Sequence, residues 1–283
     1  MNEITLIANA KLNLYLDITG KREDGYHLLE TVMQSVDLSD IVTVKLVGDV
    51  IDVDCSDPGI PGGAENICFK AAGLYSKAVG KKFGARIHID KRIPHGAGMG
   101  GGSADAAAVL TGLNKLFGDA LSKDGLMKTA SEVGADVPFC MEGGLKLCRG
   151  IGDELHDAEP LPERVYLVVM PNFCCITKEA YERWDREPVK PHGEISGFMR
   201  SGDRFPEKIY NVFAELYNDE RISDVIEKLR SLGADGSGIT GSGAAVFGAF
   251  KDESAAAQAA RGFPNFFTAV CKPAKTGIIA VES

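Results

Sequence analysis

Tryptophan occurs once and histidine five times in 283 residues, no Cys-x-x-Cys pair is present, and no apolar run is long. Each shortage removes a class of protein. The seven cysteines (Cys55, Cys68, Cys140, Cys148, Cys174, Cys175, Cys271) and few histidines give no zinc spacing. Their scatter argues against a disulfide framework, so reduced thiols in a cytoplasmic protein are expected. A bilayer-spanning helix needs about 20 consecutive apolar residues, and no stretch offers them. Met1-Asn2-Glu3-Ile4 has no basic region followed by an apolar core, so no signal peptide is expected. Positive charge is also short: the net charge of -9 disfavours a nucleic-acid or anionic-membrane surface. What remains is a soluble chain, 45% hydrophobic and 25% charged, long enough for one or two domains.

Glycine is abundant and concentrated. Five glycines fall among the seven residues Gly96-Ala97-Gly98-Met99-Gly100-Gly101-Gly102, followed by Ser103 and an alanine-rich helix pattern over Ala104–Phe117. Without a Cβ, successive amides can converge on one small volume. A helix starting there adds unpaired N–H groups and partial positive charge. The combination suits a phosphate better than it suits a flexible surface turn. No lysine follows Gly102, which excludes the Walker pattern, and the glycine spacing does not fit a dinucleotide fingerprint.

Elsewhere, Leu12, Leu14, Leu16 and Ile18 alternate with Lys11, Asn13, Tyr15 and Asp17, predicting a strand. Lys11 and Asn13 would then share the opposite face, about 7 Å apart; alone, Lys11 reads as a solvated edge charge. Helices are expected at Glu65–Val79, Leu121–Val133, Thr177–Trp184, Glu207–Tyr217, Ile222–Leu232 and Ser254–Arg261, and 187–203 reads as a loop. Asp136, in Gly134-Ala135-Asp136-Val137-Pro138-Phe139, suits a helix N-cap as well as a functional carboxylate. A second glycine cluster, Gly233–Gly243, precedes a strand at Ala244–Phe250. Strands and helices do not alternate strictly, so the fold class is α+β.

Taken together, these motifs resemble the GHMP kinase superfamily. Pro94–Ala104 matches its Pro-x-x-x-Gly-x-Gly-x-Gly/Ser-Ser-Ala type loop, and Ile239–Ala244 its C-terminal glycine motif. Ala10–Leu14, Gly25-Tyr26-His27 and Gly134–Phe139 are similar to the branch that phosphorylates 4-diphosphocytidyl-2-C-methyl-D-erythritol in the non-mevalonate isoprenoid pathway. The resemblance implies a ribosomal S5 domain 2-like N-terminal domain (1–158) that binds ATP, an αβ-plait C-terminal domain (159–283), and a site between them. It implies ATP-dependent phosphorylation of the C2 hydroxyl of that cytidyl substrate with Mg²⁺, by a monomer or homodimer without nucleic-acid or membrane partners. Met99 stands where leucine is commoner, and Ala104 where many relatives carry serine, leaving Ser103 as the hydroxyl for phosphate or metal.

By the same resemblance, Asp136 orients the acceptor hydroxyl or takes its proton, while Lys11 beside it balances charge on the moving phosphoryl group. Pro94, His95, Gly96, Ala97, Gly98, Met99, Gly100, Gly101, Gly102, Ser103 and Ala104 form the ATP loop, His95 through its backbone. Asn66 and Lys91 line the adenine pocket. Tyr26 and Tyr181 stack on the pyrimidine, His27 bonds its edge, and Asn13 and Thr177 hold polar groups of the acceptor. Cys174 and Cys175 read as core filler. A kinase for another small alcohol, such as homoserine or mevalonate, is the alternative within the superfamily; a silent nucleotide sensor is the alternative outside catalysis.

Overall fold

Two long strands carry the architecture: β1 (Glu3–Lys21) and β2 (His27–Leu46) pair antiparallel along almost their whole length. The structure, a computed structural model, describes residues 2–217 and 219–281. After the hairpin come β3 (Ile51–Cys55), α1 (Ile67–Val79), β4 (Ala85–Asp90), α2 (Gly101–Leu116), α3 (Lys123–Val133), α4 (Val137–Glu142), β5 (Leu145–Arg149) and β6 (Glu154–Asp157). The second half holds β7 (Val165–Met170), α5 (Thr177–Arg186), α6 (Ile195–Met199), β8 (Tyr210–Asn211), α7 (Val212–Tyr217), α8 (Glu220–Ser231), β9 (Gly236–Ile239), β10 (Val246–Phe250), α9 (Glu253–Ala260), β11 (Phe267–Cys271) and β12 (Ile278–Ala280). None of the described helices is long and apolar enough to cross a membrane.

The first sheet runs β12-β1-β2-β4-β3, with β5–β6 added to β2 and β8 to β1. The second is antiparallel, in the order β11-β7-β10-β9. With α8 before β9 and α9 before β11, this is the βαββαβ arrangement of an αβ-plait. The last strand, β12, leaves that unit and pairs with β1 in the first sheet.

β1 binds the halves together. Leu6 and Ala8 enter a core with α1 and α2; Ala10, Leu12, Leu14 and Tyr15 enter a second with Tyr166 and Phe247; Leu16 and Ile18 enter a third with Leu229 and Phe250. Both faces of the strand are therefore covered, and Ala8–Ile18 is buried throughout. This overturns the reading of Lys11 as a solvated edge charge: the residue is 4% exposed. β7 is also two-sided, with Tyr166 and Val168 facing the second core and Leu167 and Val169 the third.

Two local expectations fail for long-range reasons. Residues 187–203 include α6, because Ile195 and Phe198 reach the second core from a segment otherwise rich in Pro, Gly and charge. The helix expected at Glu207–Tyr217 starts only at Val212; Tyr210 and Asn211 pair instead with Tyr15 and Leu16 as a parallel strand. Four of the eleven residues of the second glycine cluster form strand β9, where a Cβ on Gly236 would lie 1.8 Å from the Pro206 carbonyl oxygen. Glycine in a strand here marks close backbone approach.

Candidate active site

The two glycine segments pack backbone to backbone. Gly98 has φ +73°, and a Cβ there would sit 2.2 Å from the Thr240 carbonyl oxygen; Gly241 has φ +56°, and its Cβ would sit 2.6 Å from the Gly98 oxygen. The Ala245 amide donates to the Ala97 carbonyl at 3.3 Å. Met99 and Ala97 are buried in the second core and anchor the loop with their side chains. Gly100, at φ +71°, occupies the N-cap of α2, which starts at Gly101 rather than Ala104. The amides of Gly101, Gly102 and Ser103 belong to the first helical turn and have no intrahelical partner. Ala104 is fully buried among the alanines of the first core and is not among the residues lining either of the two cavities described below.

Beneath this junction lies Asn13. Its Oδ1 accepts from the Lys11 ammonium at 2.6 Å and from the Gly241 amide at 2.8 Å, while its Nδ2 donates to the Thr31 hydroxyl at 2.9 Å. The Thr240 hydroxyl accepts from the Asn13 amide at 3.0 Å and donates toward the Gly98 carbonyl at 3.2 Å. A register shift between Asn13 and Tyr15 makes a bulge, the device by which a strand re-aims a side chain. Asn13 thus joins the hairpin to both glycine segments in addition to facing the cavity.

Asp136 is the first residue before α4, but its side chain caps no amide. Its Oδ2 lies 3.8 Å from Lys11 Nζ, and the side chain is 37% exposed. A cavity of about 640 Å³ opens here, lined by Lys11, Asn13, Asp136, Tyr26, His27, Thr177 and Tyr181 among others. Every residue expected on the acceptor side is therefore brought together. Tyr26, 58% exposed, stands at its rim. His27 stacks on Tyr181 with centroids 4.6 Å apart, so one face of each ring is already covered. Burial raises the Tyr181 hydroxyl well above its usual pKa and keeps it neutral. The Thr177 and Ser242 hydroxyls share a hydrogen bond of 2.9 Å, seating α5 on the second glycine segment.

A second cavity, of about 400 Å³, lies on the far side of the loop and is lined by Asn66, Lys91, Asp105 and the residues from Pro94 to Ser103. Gly98, Gly100 and Ser103 line both cavities. Asn66 and Lys91 are there, but committed to the protein. The Asn66 side chain accepts from the Cys68 amide at 2.9 Å, capping α1, and donates to the Pro61 carbonyl at 2.9 Å. The Lys91 ammonium is held between the carboxylates of Asp40 and Asp105, all three side chains being nearly inaccessible. Burial, with Asp40 adding to it and Lys91 opposing, lifts the Asp105 carboxyl to about 7. Asp105 Oδ1 is buried without a hydrogen-bond partner.

A larger cavity of about 790 Å³ lies elsewhere, lined by residues such as Lys115, Lys123, Glu142 and Lys146, and contains none of the expected site residues. Several of those charges pair with each other or with neighbouring acids. Cys174 is exposed and not core filler; its Sγ lies 3.9 Å from the His95 carbonyl of the glycine loop.

Models of the GHMP kinases N terminal domain and the GHMP kinases C terminal match residues 66–144 and 214–269. A 4-diphosphocytidyl-2-C-methyl-D-erythritol kinase from Clostridium botulinum (strain Eklund 17B / Type B) is 39% identical over 254 residues, covering 87% of this chain and 90% of its own. One from Thermoanaerobacter pseudethanolicus is 39% identical over 261 residues, 89% of either chain. The chain belongs to the 4-diphosphocytidyl-2-C-methyl-D-erythritol kinase family. A crystal structure of a 4-(cytidine 5'-diphospho)-2C-methyl-D-erythritol kinase superposes with a TM-score of 0.75 at 30% identity, covering 95% of this chain and all of that one. A homoserine kinase from Cytophaga hutchinsonii reaches 0.77 at 22% identity, covering 99% and 98%. The fold is shared across acceptors, so placement in this kinase family rests on sequence identity rather than shape.

Several residues that build this site escaped the sequence reading. Thr240 lies inside the second glycine motif, but Asn211 lies outside any motif; its Nδ2 donates to the carbonyls of Ile239 and Gly241. Thr31 and Asp185 were also missed. Asp185 could have been found, because Thr177, Tyr181 and Asp185 recur at i, i+4, i+8 on one helix face.

Proposed function

We propose that the protein transfers the γ-phosphoryl group of ATP to the C2 hydroxyl of 4-diphosphocytidyl-2-C-methyl-D-erythritol. The carrying observation is that two cavities meet across Gly98, Gly100 and Ser103, with Lys11 and Asp136 on the hairpin side. ATP occupies the cavity beside α1 and α2, its phosphates on the first-turn amides of α2. The acceptor occupies the hairpin-side cavity, with its cytidyl end toward Tyr26, His27 and Tyr181 and its hydroxyl toward Asp136.

Phosphoryl transfer through a loose transition state depends on alignment and charge neutralisation. Lys11, fixed by Asn13, supplies a buried positive charge where the phosphoryl group passes from one cavity to the other. Asp136 orients the C2 hydroxyl and takes its proton as the new O–P bond forms and ADP leaves. Gly100 lets the loop lie against Lys11, since a Cβ there would be 3.1 Å from Lys11 Cγ.

Mg²⁺ fits the same junction. It takes one or two protein oxygens and completes its shell with phosphate oxygens and water. Ser103 and Asp105 are both among the residues lining the nucleotide cavity, and their side-chain oxygens would hold it. Bound there, the ion would offset phosphate charge.

The test is ADP release with a panel of alcohols. Turnover with the cytidyl acceptor is expected. Turnover with homoserine or mevalonate and not with the cytidyl compound would overturn the acceptor assignment, and nucleotide binding with no turnover on any alcohol would overturn the kinase reading.

A further inference from the structure

Asp185 lines the acceptor cavity without taking part in the transfer described above. Its Oδ1 lies 2.9 Å from His27 Nε2, and its Oδ2 lies 2.7 Å from Lys21 Nζ. Lys21, then His27, holds the Asp185 carboxyl below its usual range. An ionised carboxylate only accepts hydrogen bonds, so the proton between the two groups belongs to Nε2. The ring cannot readily turn over. Tyr181 stacks on it at 4.6 Å and 27°, and Trp184 meets it edge-on at 5.2 Å and 90°. Among the described residues, His27 Nδ1 has no hydrogen-bond partner. In an uncharged imidazole whose proton is on Nε2, Nδ1 is an acceptor and nothing else.

We propose that Asp185 is a positioning residue that locks His27 in the Nε2–H tautomer, so that the cavity accepts a hydrogen bond from the exocyclic amine of cytosine and disfavours uracil. This rests on the proposed use of the cavity for the cytidyl end of the acceptor. Cytosine carries an amino group at ring position 4, where uracil carries a carbonyl. Against a fixed acceptor, the amine makes a hydrogen bond, whereas the carbonyl brings two lone pairs together. The nearest donor on uracil, N3–H, is one ring position away from the atom that would face Nδ1. Sites built around a ligand hydrogen-bond donor discriminate strongly against an analogue lacking it, because the protein group is left unpaired.

Asp185→Asn preserves size but presents both a donor and an acceptor. Nε2 can then become the acceptor and Nδ1 can carry the proton, suiting the uracil carbonyl. The experiment measures CDP and UDP affinities with a non-hydrolysable ATP analogue filling the nucleotide cavity, alongside ¹⁵N NMR of the histidine ring. The wild type is expected to prefer CDP by at least about tenfold. In Asp185→Asn the preference should fall to within about threefold, through both weaker CDP and tighter UDP binding. The ring spectrum should move from a single Nε2–H tautomer to a mixture. Lys21→Met removes the lysine but leaves the Asp185–His27 bond, and should keep the preference. An unchanged CDP/UDP ratio in Asp185→Asn would overturn the inference while leaving the cytidyl reading intact. A wild type that binds neither nucleotide in this cavity would overturn that reading and the inference with it.

Discussion

Asp136 stands at the N-cap of α4 and leaves it uncapped, its carboxylate instead lying 3.8 Å from Lys11 Nζ. Because it supports no amide of α4, its replacement should affect chemistry far more than folding. Asp136→Asn is expected to bind ATP and unfold within a few degrees of the wild type, yet to lose about 10²- to 10⁴-fold in kcat, the usual contribution of a positioned proton acceptor. Steady-state ADP release and a thermal melt check both halves. Near-normal turnover would remove Asp136 from the chemistry.

Gly98 and Gly241 fix how closely the two loops approach. Gly98→Ala places a methyl 2.2 Å from the Thr240 carbonyl oxygen and forces a side chain into a left-handed conformation. Backbone strain of this kind costs about 1–3 kcal/mol before any clash. A lower urea midpoint and weaker ATP binding should appear together. ATP affinity preserved in a destabilised variant would argue against the contact's role in shaping the nucleotide cavity.

Tyr26, exposed at the rim, supports nothing in the core. Tyr26→Ala should leave the melting temperature unchanged and raise KM for the acceptor, corresponding to about 1–3 kcal/mol for the loss of one base stack. An unaltered KM would contradict stacking.

The buried Asp40–Lys91–Asp105 group makes stability depend on pH. Asp105 titrates at about 7 in the folded protein against 3.8 for the free group. Between those values the folded state holds a proton that the unfolded chain has released. The contribution of Asp105 to stability is therefore full below about pH 4, is lost as pH rises toward 7, and changes little above that. Asp105→Asn should flatten this trend. Urea midpoints at about pH 5 and about pH 8 measure it; a wild-type midpoint that rises across the interval while the variant stays flat would reverse the sign.

The parts of the site legible in the sequence were those whose cause is local. Five crowded glycines and the alanine run after them announce the loop and α2, and alternation puts Lys11 and Asn13 on one face. What alternation could not show was the depth of Lys11, because the glycine loop at Gly100 and the residue before α4, Asp136, come from far along the chain to cover that face. Nor could it show the bulge at Asn13, which depends on pairing with β2. Asp136 remained ambiguous because a cap and a functional carboxylate use the same residue in the same place; in the structure its side chain caps no amide and lies beside Lys11. Ile195, Phe198 and Asn211 were hidden by polar neighbours, and their roles come from β1 and the second glycine segment.

In the proposed reaction the γ-phosphoryl group crosses from one cavity to the other at Lys11 and Asp136 onto the cytidyl acceptor. ³¹P NMR of the protein with ATP·Mg²⁺ and 4-diphosphocytidyl-2-C-methyl-D-erythritol tests it most directly. The expected spectrum shows a new phosphomonoester on the C2 oxygen, growing in step with ADP and slowed about 10²- to 10⁴-fold in Asp136→Asn. ADP growing with inorganic phosphate while the acceptor stays unmodified would contradict it.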